Sequence, residues 1–250
     1  MVIAMLEQVA QADFNGLLDR ATESWTGSNG LIIEASSINA QPMYRRFVMW
    51  AIIRIMITMK EEPRIGYHAG FFELSWFGIK VGTIAVDYRR PPPPPTGQLS
   101  IDNATKSESP LTTPRNVSTT SAMLGDDTLA WIYTPGGHLM TEWDVAMGTI
   151  GALVEAADHS NHEFNAFEGG LLPNARATCL YETTIHPSRF SKIILIRTLA
   201  QAAMWALNDG DYHELRVRVL DNARDIAYGG YRWAGPRLSA SSNSTVVASL

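Results

Sequence analysis

The spacing of apolar residues divides the first part of the chain into helical and extended segments. Apolar side chains recur at helical intervals from residue 2 to residue 25, which predicts a first helix there. The positions that form this stripe are Ile3, Leu6, Ala10, Phe14, Leu17 and Ala21. A glycine-containing break at 26–30 precedes a short strand at 31–33. A second helix is predicted over residues 43–60, since Pro42 suits a helix start and Pro63 cannot continue the helix.

Two β-rich runs follow this second helix, at residues 69–76 and 79–88. Apolar and polar residues alternate in both runs, as they do in strands with one buried face. Only Phe77 and Gly78 separate the runs, and a two-residue connection that contains glycine is typical of a tight hairpin. The sequence therefore predicts a helix followed by a β-hairpin.

The same order of elements recurs twice in the last part of the chain. After a strand at 129–134, a helix is predicted over 141–158, with Thr141 and Asp144 as its capping box. A hairpin of strands 163–167 and 175–184 follows. Pro187 then opens another helix, which ends at Gly210. Strands 214–220 and 225–233 complete the third hairpin, with a turn at Asp221 and Asn222.

These three helix-then-hairpin units indicate an α+β fold, in which one antiparallel sheet carries helices on one face. An N-terminal helix is added to them. The units do not align well residue by residue. The triplets that begin at Met49 and Met204 are both Met-Trp-Ala, but they fall at different depths in their helices. We interpret the repetition as architectural and the matching triplets as chance.

The segment 89–125 differs from the rest of the chain. It begins with Arg89 and Arg90, continues with five consecutive prolines and is then rich in Ser and Thr. Such a composition buries too little apolar surface to offset the entropy of ordering, so we predict an exposed insert. The expected organisation is residues 1–88 and 126–238 in one globular domain, the insert 89–125 between them, and a low-complexity tail at 239–250.

Composition and charge narrow the classes of function. The 250 residues are 46% hydrophobic and 18% charged, as in ordinary folded domains, and the formal net charge is −5. This balance does not favour nucleic-acid binding, which requires a concentrated cationic surface. The single cysteine, Cys179, excludes an intrachain disulfide and a zinc site built on cysteines, and we expect it to pack in the core.

Two apolar segments of the chain bear on its cellular location. The apolar run at residues 1–6 ends at Glu7 and has no basic residues before it, so no complete signal peptide is present, although a clipped remnant is the alternative. The most apolar stretch, 47–59, contains Arg54 and is shorter than the roughly 20 residues of a membrane helix. The expectation is a soluble protein without membrane insertion, with a cytoplasmic location slightly favoured over secretion.

The densest group of chemically active side chains lies at the end of the 141–158 helix. Asp158, His159, His162 and Glu163 occur within six residues, and His138 precedes the same helix. Imidazoles and carboxylates can bind zinc or act as acids and bases. The histidines are three residues apart, however, whereas two helical ligands of one metal need a spacing of four. We therefore predict no metal and no cofactor, and interpret His159 and His162 as residues of a helix end.

A second candidate lies on the 43–60 helix. Arg46, Trp50 and Arg54 follow each other at intervals of four residues, on a helix that is otherwise almost wholly apolar. Tryptophan and arginine are enriched at the centres of protein interfaces, so this line is a candidate binding surface. The alternative is a solvated edge of a core helix.

Two functional hypotheses follow from these features. The first is a non-catalytic binding or structural protein that acts through a protein partner or self-association. It rests on the absence of any coherent catalytic, metal or nucleotide motif. The second is a hydrolase-like enzyme whose site is assembled in three dimensions from the His and Asp/Glu residues of the 138–163 region.

Overall fold

A computed structural model describes residues 1–27, 30–38, 41–62, 68–88, 118–120, 129–160, 163–172, 175–184 and 190–235. Four helices and ten strands lie in these ranges: α1 (Val2–Ala10), β1 (Thr22–Thr26), β2 (Leu31–Ser37), α2 (Arg45–Glu61), β3 (Gly70–Trp76), β4 (Ile79–Tyr88), β5 (Ser118–Thr120), β6 (Leu129–Leu139), α3 (Glu142–Asp158), β7 (Ala166–Gly169), β8 (Ala177–Thr183), α4 (Lys192–Asp209), β9 (His213–Asp221) and β10 (Arg224–Trp233). Apart from β5, the insert predicted at 89–125 lies outside the described residues, as does the tail at 239–250.

The strands form two antiparallel sheets and not the single sheet that we expected. One has four strands in the order β1-β2-β4-β3, and the other has six in the order β5-β6-β9-β10-β8-β7. The α+β class, the antiparallel pairing and the N-terminal helix are confirmed. The single sheet was wrong because strand pairing is non-local: β2 selects β4 and β8 selects β10, which no local pattern reveals.

The first helix is shorter than predicted. It ends at Ala10, and residues 22–26, expected to be helical, form β1. The backbone N–H of Asn15 donates to the Asp13 carboxylate at 3.1 Å, and Gly16 lies where a side chain would crowd the Arg45 guanidinium. Phe14 lies in this connection and is buried in the core although it is not helical, so its helical spacing from the α1 residues did not indicate a helix.

Another correction concerns the strand predicted at 129–134, which is longer than expected. Residues 135–138 belong to the same strand, β6, which continues to Leu139 with a register shift between Pro135 and Leu139. The glycine at 137 has φ 75° and lies against the Glu214 side chain. A strand can therefore pass through this Gly-Gly pair because glycine tolerates the positive φ and the close approach.

The helix-then-hairpin unit occurs four times in the described residues, once after each helix, whereas the sequence predicted three. The missed copy is α1 with β1 and β2. The four copies combine into two larger halves of identical element order, helix-hairpin-helix-hairpin. We call α1 to β4 (2–88) the first half and α3 to β10 (142–233) the second half, and equivalent residues lie roughly 145 positions apart.

The strand registers show that the two halves share one backbone plan. Within each half the strand order is first-second-fourth-third: β1-β2-β4-β3 and β7-β8-β10-β9. Equivalent pairs have equivalent partners: Ile33 opposite Val86 and Cys179 opposite Tyr231, and likewise Phe72 opposite Ile84 and Val217 opposite Gly229. In both halves the register of the last hairpin shifts just before its turn.

The buried positions of the helices also coincide. Equivalent buried pairs in α2 and α4 are Val48 and Leu195, Met49 and Ile196, Ala51 and Thr198, Ile52 and Leu199, Ile55 and Ala202, and Met59 and Ala206. Met49 is thus equivalent to Ile196 and not to Met204, which agrees with the prediction that the matching Met-Trp-Ala triplets are chance. The true repeat is the half, and its copies are separated by about three times the spacing between successive units within a half.

The core lies where the helices meet and under one face of each sheet. Helix α2 packs on β3 of the four-stranded sheet, while α3 packs on β7 and β8 of the six-stranded sheet. Helix α1 contacts all three other helices, and α2 also contacts α3, which joins the halves. Cys179 is fully buried in this core, as predicted, and its burial raises the pKa of its thiol. Within the described residues, no helix is long and apolar enough to cross a membrane.

Candidate interaction surface

A chain of aromatic rings links α2 to the β3–β4 hairpin of the first half. Trp50 projects from α2 and stacks on Trp76 at the end of β3, with ring centroids 5.5 Å apart and planes inclined by 21°. Phe47, one turn earlier, contacts the same two rings at 5.5 and 6.2 Å. Phe14 packs edge-on against Trp50 from the inside at 5.8 Å. The cluster is therefore anchored to the core by Phe14 and opens outward at Trp76.

Arg46 borders this cluster and is held by three contacts. Its guanidinium lies 4.9 Å from the ring centroid of Tyr44 and 5.2 Å from that of Phe47, within cation–π range. One terminal nitrogen, Nη1, donates to the Asn15 side chain at 3.0 Å. Arg46 and Trp50 of the predicted line thus both contact Phe47, whereas Arg54 is an exposed residue two turns after Arg46.

The outer part of the cluster is exposed to solvent. Trp76 is 43% exposed, and beyond it Phe77 is 88% and Ile79 70% exposed. Tyr44 is 42% exposed and contacts Phe47 edge-on at 5.8 Å. We call this set the aromatic surface; it comprises Tyr44, Phe47, Trp50, Trp76, Phe77 and Ile79. Sequence reasoning found only Trp50, because residues 77 and 78 were interpreted solely as a turn.

Two members of the aromatic surface are poor choices for their local structure. Phe77 has φ 48°, in the left-handed region that bulky residues rarely adopt. Tyr44 occupies the N-cap position of α2, where it makes no side-chain capping hydrogen bond. Serine, threonine, asparagine and aspartate are the residues that normally cap this position. Neither residue is thus a type that the local backbone favours at its position.

The second half has polar residues at the same places. Its last hairpin turns at Asn222, with φ 50°, where the first half has Phe77. Its helix α4 starts at Ser191, whose hydroxyl accepts from the Ile194 N–H, where α2 starts at Tyr44. Three further exposed apolar residues of the β3–β4 hairpin have charged equivalents, in the pairs Phe71 and Arg216, Trp76 and Asp221, and Ile79 and Arg224. The exposed Tyr88, in contrast, is equivalent to Trp233. The second half exposes Ile193 and Tyr228, but at these equivalent positions the exposed apolar side chains belong to the first half.

An ion pair at matching positions supports the equivalence of residues in the β3–β4 and β9–β10 hairpins. Lys80 pairs with Glu73 across the β3–β4 hairpin. At the equivalent positions Arg218 binds Asp225 through two hydrogen bonds of 2.7 and 3.1 Å, with the signs of the charges exchanged. Since both pairs are exposed, each contributes little to stability. They show instead that equivalent positions of the two hairpins both form an exposed ion pair.

The histidine and acidic residues of the 138–163 region, which are the candidates for a catalytic site, do not all lie close together. His138 lies near the end of β6, where its ring contacts Trp233 at 4.9 Å. Asp158 and His159 are at the other end of α3, about 25 Å away along a 17-residue helix. Glu163 is exposed beyond that end, and His162 lies outside the described residues. His138 is thereby separated from the other described candidates.

At the end of α3, the histidine and acidic residues surround a lysine that caps the helix. Lys192 Nζ donates to the backbone oxygen of Ala157 and to that of His159, the latter at 3.2 Å. Burial lowers the pKa of Lys192, while the charges of Asp13 and Asp158 act in the opposite direction. His159 itself packs edge-on against Phe164 at 4.9 Å. These contacts agree with the interpretation of His159 as part of a helix end.

One histidine–carboxylate pair was missed by sequence reasoning. His213 Nδ1 lies 2.6 Å from the Asp211 carboxylate, at the start of β9. Such a pair orients the imidazole of many catalytic sites. The same carboxylate also accepts the backbone N–H of His213 at 3.3 Å, so the pair closes a local turn. The only signal in the sequence was the Asp-x-His spacing, which is equally typical of such turns.

Metal binding finds no support among the described residues, where no group of three or more His, Cys, Asp or Glu side chains could hold an ion. Comparison of the chain with known protein families, with curated proteins and with solved structures found no match.

Proposed function

We propose that this protein is a non-catalytic interaction protein that binds a protein partner through the aromatic surface. The observation that carries the proposal is Phe77, an exposed phenylalanine in a left-handed turn whose counterpart in the second half is Asn222. Exposure and backbone strain both disfavour phenylalanine there. Residues that violate local rules without a structural benefit are concentrated at functional sites.

The composition of the surface supports a protein partner. Tryptophan, tyrosine and arginine are the residue types that dominate binding energy at interfaces. Trp50 and Trp76 form a rigid stacked pair, and Arg46 is held against Tyr44 and Phe47 before any partner arrives. A surface that is already ordered loses less side-chain entropy when it binds.

The second half provides the variant that tests the proposal. Phe77→Asn with Ile79→Arg installs the residues that the equivalent hairpin already uses, so the fold should be retained. We expect capture of partners from an extract of the producing cells to fall, with a loss of about 2 kcal/mol or more in binding free energy once a partner is isolated.

The matched control changes the equivalent turn of the second half. Asn222→Asp with Arg224→Lys alters two exposed residues and should leave capture unchanged. Thermal unfolding of all three proteins verifies that they are folded. If the swapped variant and the control captured the same partners equally well, the aromatic surface would not be the binding site.

A further inference from the structure

The strand beside the aromatic surface is an open sheet edge. In the described residues β3 pairs only with β4, so one side of its backbone has no strand partner. The equivalent strand of the second half, β9, is covered on that side by β6 in antiparallel orientation. There, Tyr133 lies opposite Val217 and Trp131 opposite Val219. The same backbone plan thus accepts an additional antiparallel strand with large apolar side chains at this edge.

Strand β3 lacks the features that normally protect an edge. It is seven residues long, contains no proline, and has Glu73 as its only charged residue. Phe71 on its outer face is 71% exposed. The opposite edge of the same sheet, β1, is five residues long and mostly polar. Long apolar edges without protective charges are the ones that recruit another strand.

We infer that β3 pairs with β3 of a second copy of this chain, which joins two four-stranded sheets across a twofold axis. This inference rests on the proposed function, because it names the partner of the same surface. Two identical strands related by a twofold axis run antiparallel, as β6 and β9 do, and each supplies the same residues to the other.

Charge and side-chain size select the register. An axis at Glu73 would place two glutamates opposite each other, which is unfavourable. An axis at Leu74 places Phe72 opposite Trp76 of the copy, and Glu73 opposite Ser75. The two copies then supply Trp76 and Leu74 to the inner face, where β6 supplies Tyr133 and Trp131 in the second half. Phe71 comes beside the Phe77 turn of the copy.

Disulfide trapping tests both the partner and the register. Glu73 and Ser75 are exposed on the outer face of β3, so Glu73→Cys and Ser75→Cys should leave the fold intact. Residues opposite each other in antiparallel strands lie within disulfide range. We expect a disulfide-linked dimer when the two variants are mixed under mild oxidation, and much less when either is oxidised alone. The native Cys179 is buried and does not interfere.

The control is Ser24→Cys on the opposite edge, β1, which should not crosslink. Analytical ultracentrifugation of the unmodified chain should show a concentration-dependent species of twice the 27.6 kDa chain mass. Phe77→Asn with Ile79→Arg should weaken this dimer by roughly tenfold or more in dissociation constant.

A chain that sediments at 27.6 kDa at every concentration would overturn the inference, and so would a dimer in which the mixed variants do not crosslink. These results differ from failure of the proposed function. If the chain is monomeric but the swapped turn still abolishes capture of a different protein, the aromatic surface remains a binding site and only its partner was wrong.

Discussion

Tyr181 and Tyr231 are fully buried in the second half, and the equivalent positions of the first half are Ala35 and Val86. The hydroxyl of Tyr231 is 2.6 Å from that of Thr149 and donates to the Leu199 carbonyl at 3.2 Å. The second half therefore places aromatic rings inside, and the hydroxyl of Tyr231 is hydrogen-bonded there, whereas that of Tyr181 has no hydrogen-bond partner among the described residues. The first half fills the same space with small aliphatic residues.

The exteriors show the opposite distribution. Phe71, Phe77 and Ile79 are exposed in the first half, where the second half has Arg216, Asn222 and Arg224. The same arrangement of helices and strands forms with the exposed apolar residues of the first half and with the polar residues of the second half. The fold therefore does not require the exposed rings of the first half. The second half is therefore an internal reference against which the exposed rings of the first half can be tested.

The largest effect is expected from truncation at two equivalent buried positions, Ile52→Ala in α2 and Leu199→Ala in α4. Each leaves a cavity and should cost about 2–5 kcal/mol of unfolding free energy. Since α1 and α2 both contact α3, the halves should unfold together. Chemical denaturation, monitored by tryptophan fluorescence and circular dichroism, measures both the loss of unfolding free energy and whether the halves unfold in one transition. A biphasic transition in either variant would show that the halves are independent domains.

The next effect concerns Asp144, a helix cap of the second half. Burial acts to raise the pKa of its carboxyl, but hydrogen bonds from Thr141 and from the Arg176 N–H, with the charge of Lys60, outweigh burial and lower it. Asp144→Ala should cost about 1–3 kcal/mol of unfolding free energy.

The stabilisation by Asp144 should depend on pH with a defined sign. A lowered folded-state pKa means that the contribution is present above the pKa of the unfolded carboxyl and is lost as the pH falls through the folded-state value. The difference in stability between wild type and Asp144→Ala should therefore shrink on acidification. A difference that stays constant down to acid pH would assign the effect to packing.

A smaller effect of opposite sign is expected at Tyr44. Tyr44→Ser introduces the cap that Ser191 provides in the second half, and should stabilise the protein by about 1 kcal/mol. It also removes one ring of the aromatic surface, so partner capture should weaken. Thermal melts and the capture assay separate the two effects. Unchanged or lower stability would show that Tyr44 is selected for packing.

The smallest effect is expected for Arg54→Ala. Arg54 is exposed on α2, so its removal should cost less than about 1 kcal/mol and leave partner capture intact. Trp50→Ala, in the same helix, removes the ring that stacks on Trp76 and should affect both stability and capture. Loss of capture in Arg54→Ala would extend the binding site along α2.

Local chemistry in the sequence was sufficient for several elements. The capping box of Thr141 and Asp144 starts α3 as predicted, and the turn at Phe77 and Gly78 joins β3 to β4. The left-handed Gly210 follows α4. Each of these features depends on a few neighbouring residues, so a short stretch of sequence contains all the information.

The partition into two sheets and the exposure of the aromatic surface were decided by tertiary structure. Helical spacing up to residue 25 concealed β1, because Phe14 is buried from a loop as effectively as from a helix. The equivalence of Phe77 with Asn222 becomes visible only when strand registers align the two halves, and that of Tyr44 with Ser191 only when helices α2 and α4 are matched. Pairing between distant strands sets those registers, and it depends on the packing of the whole core.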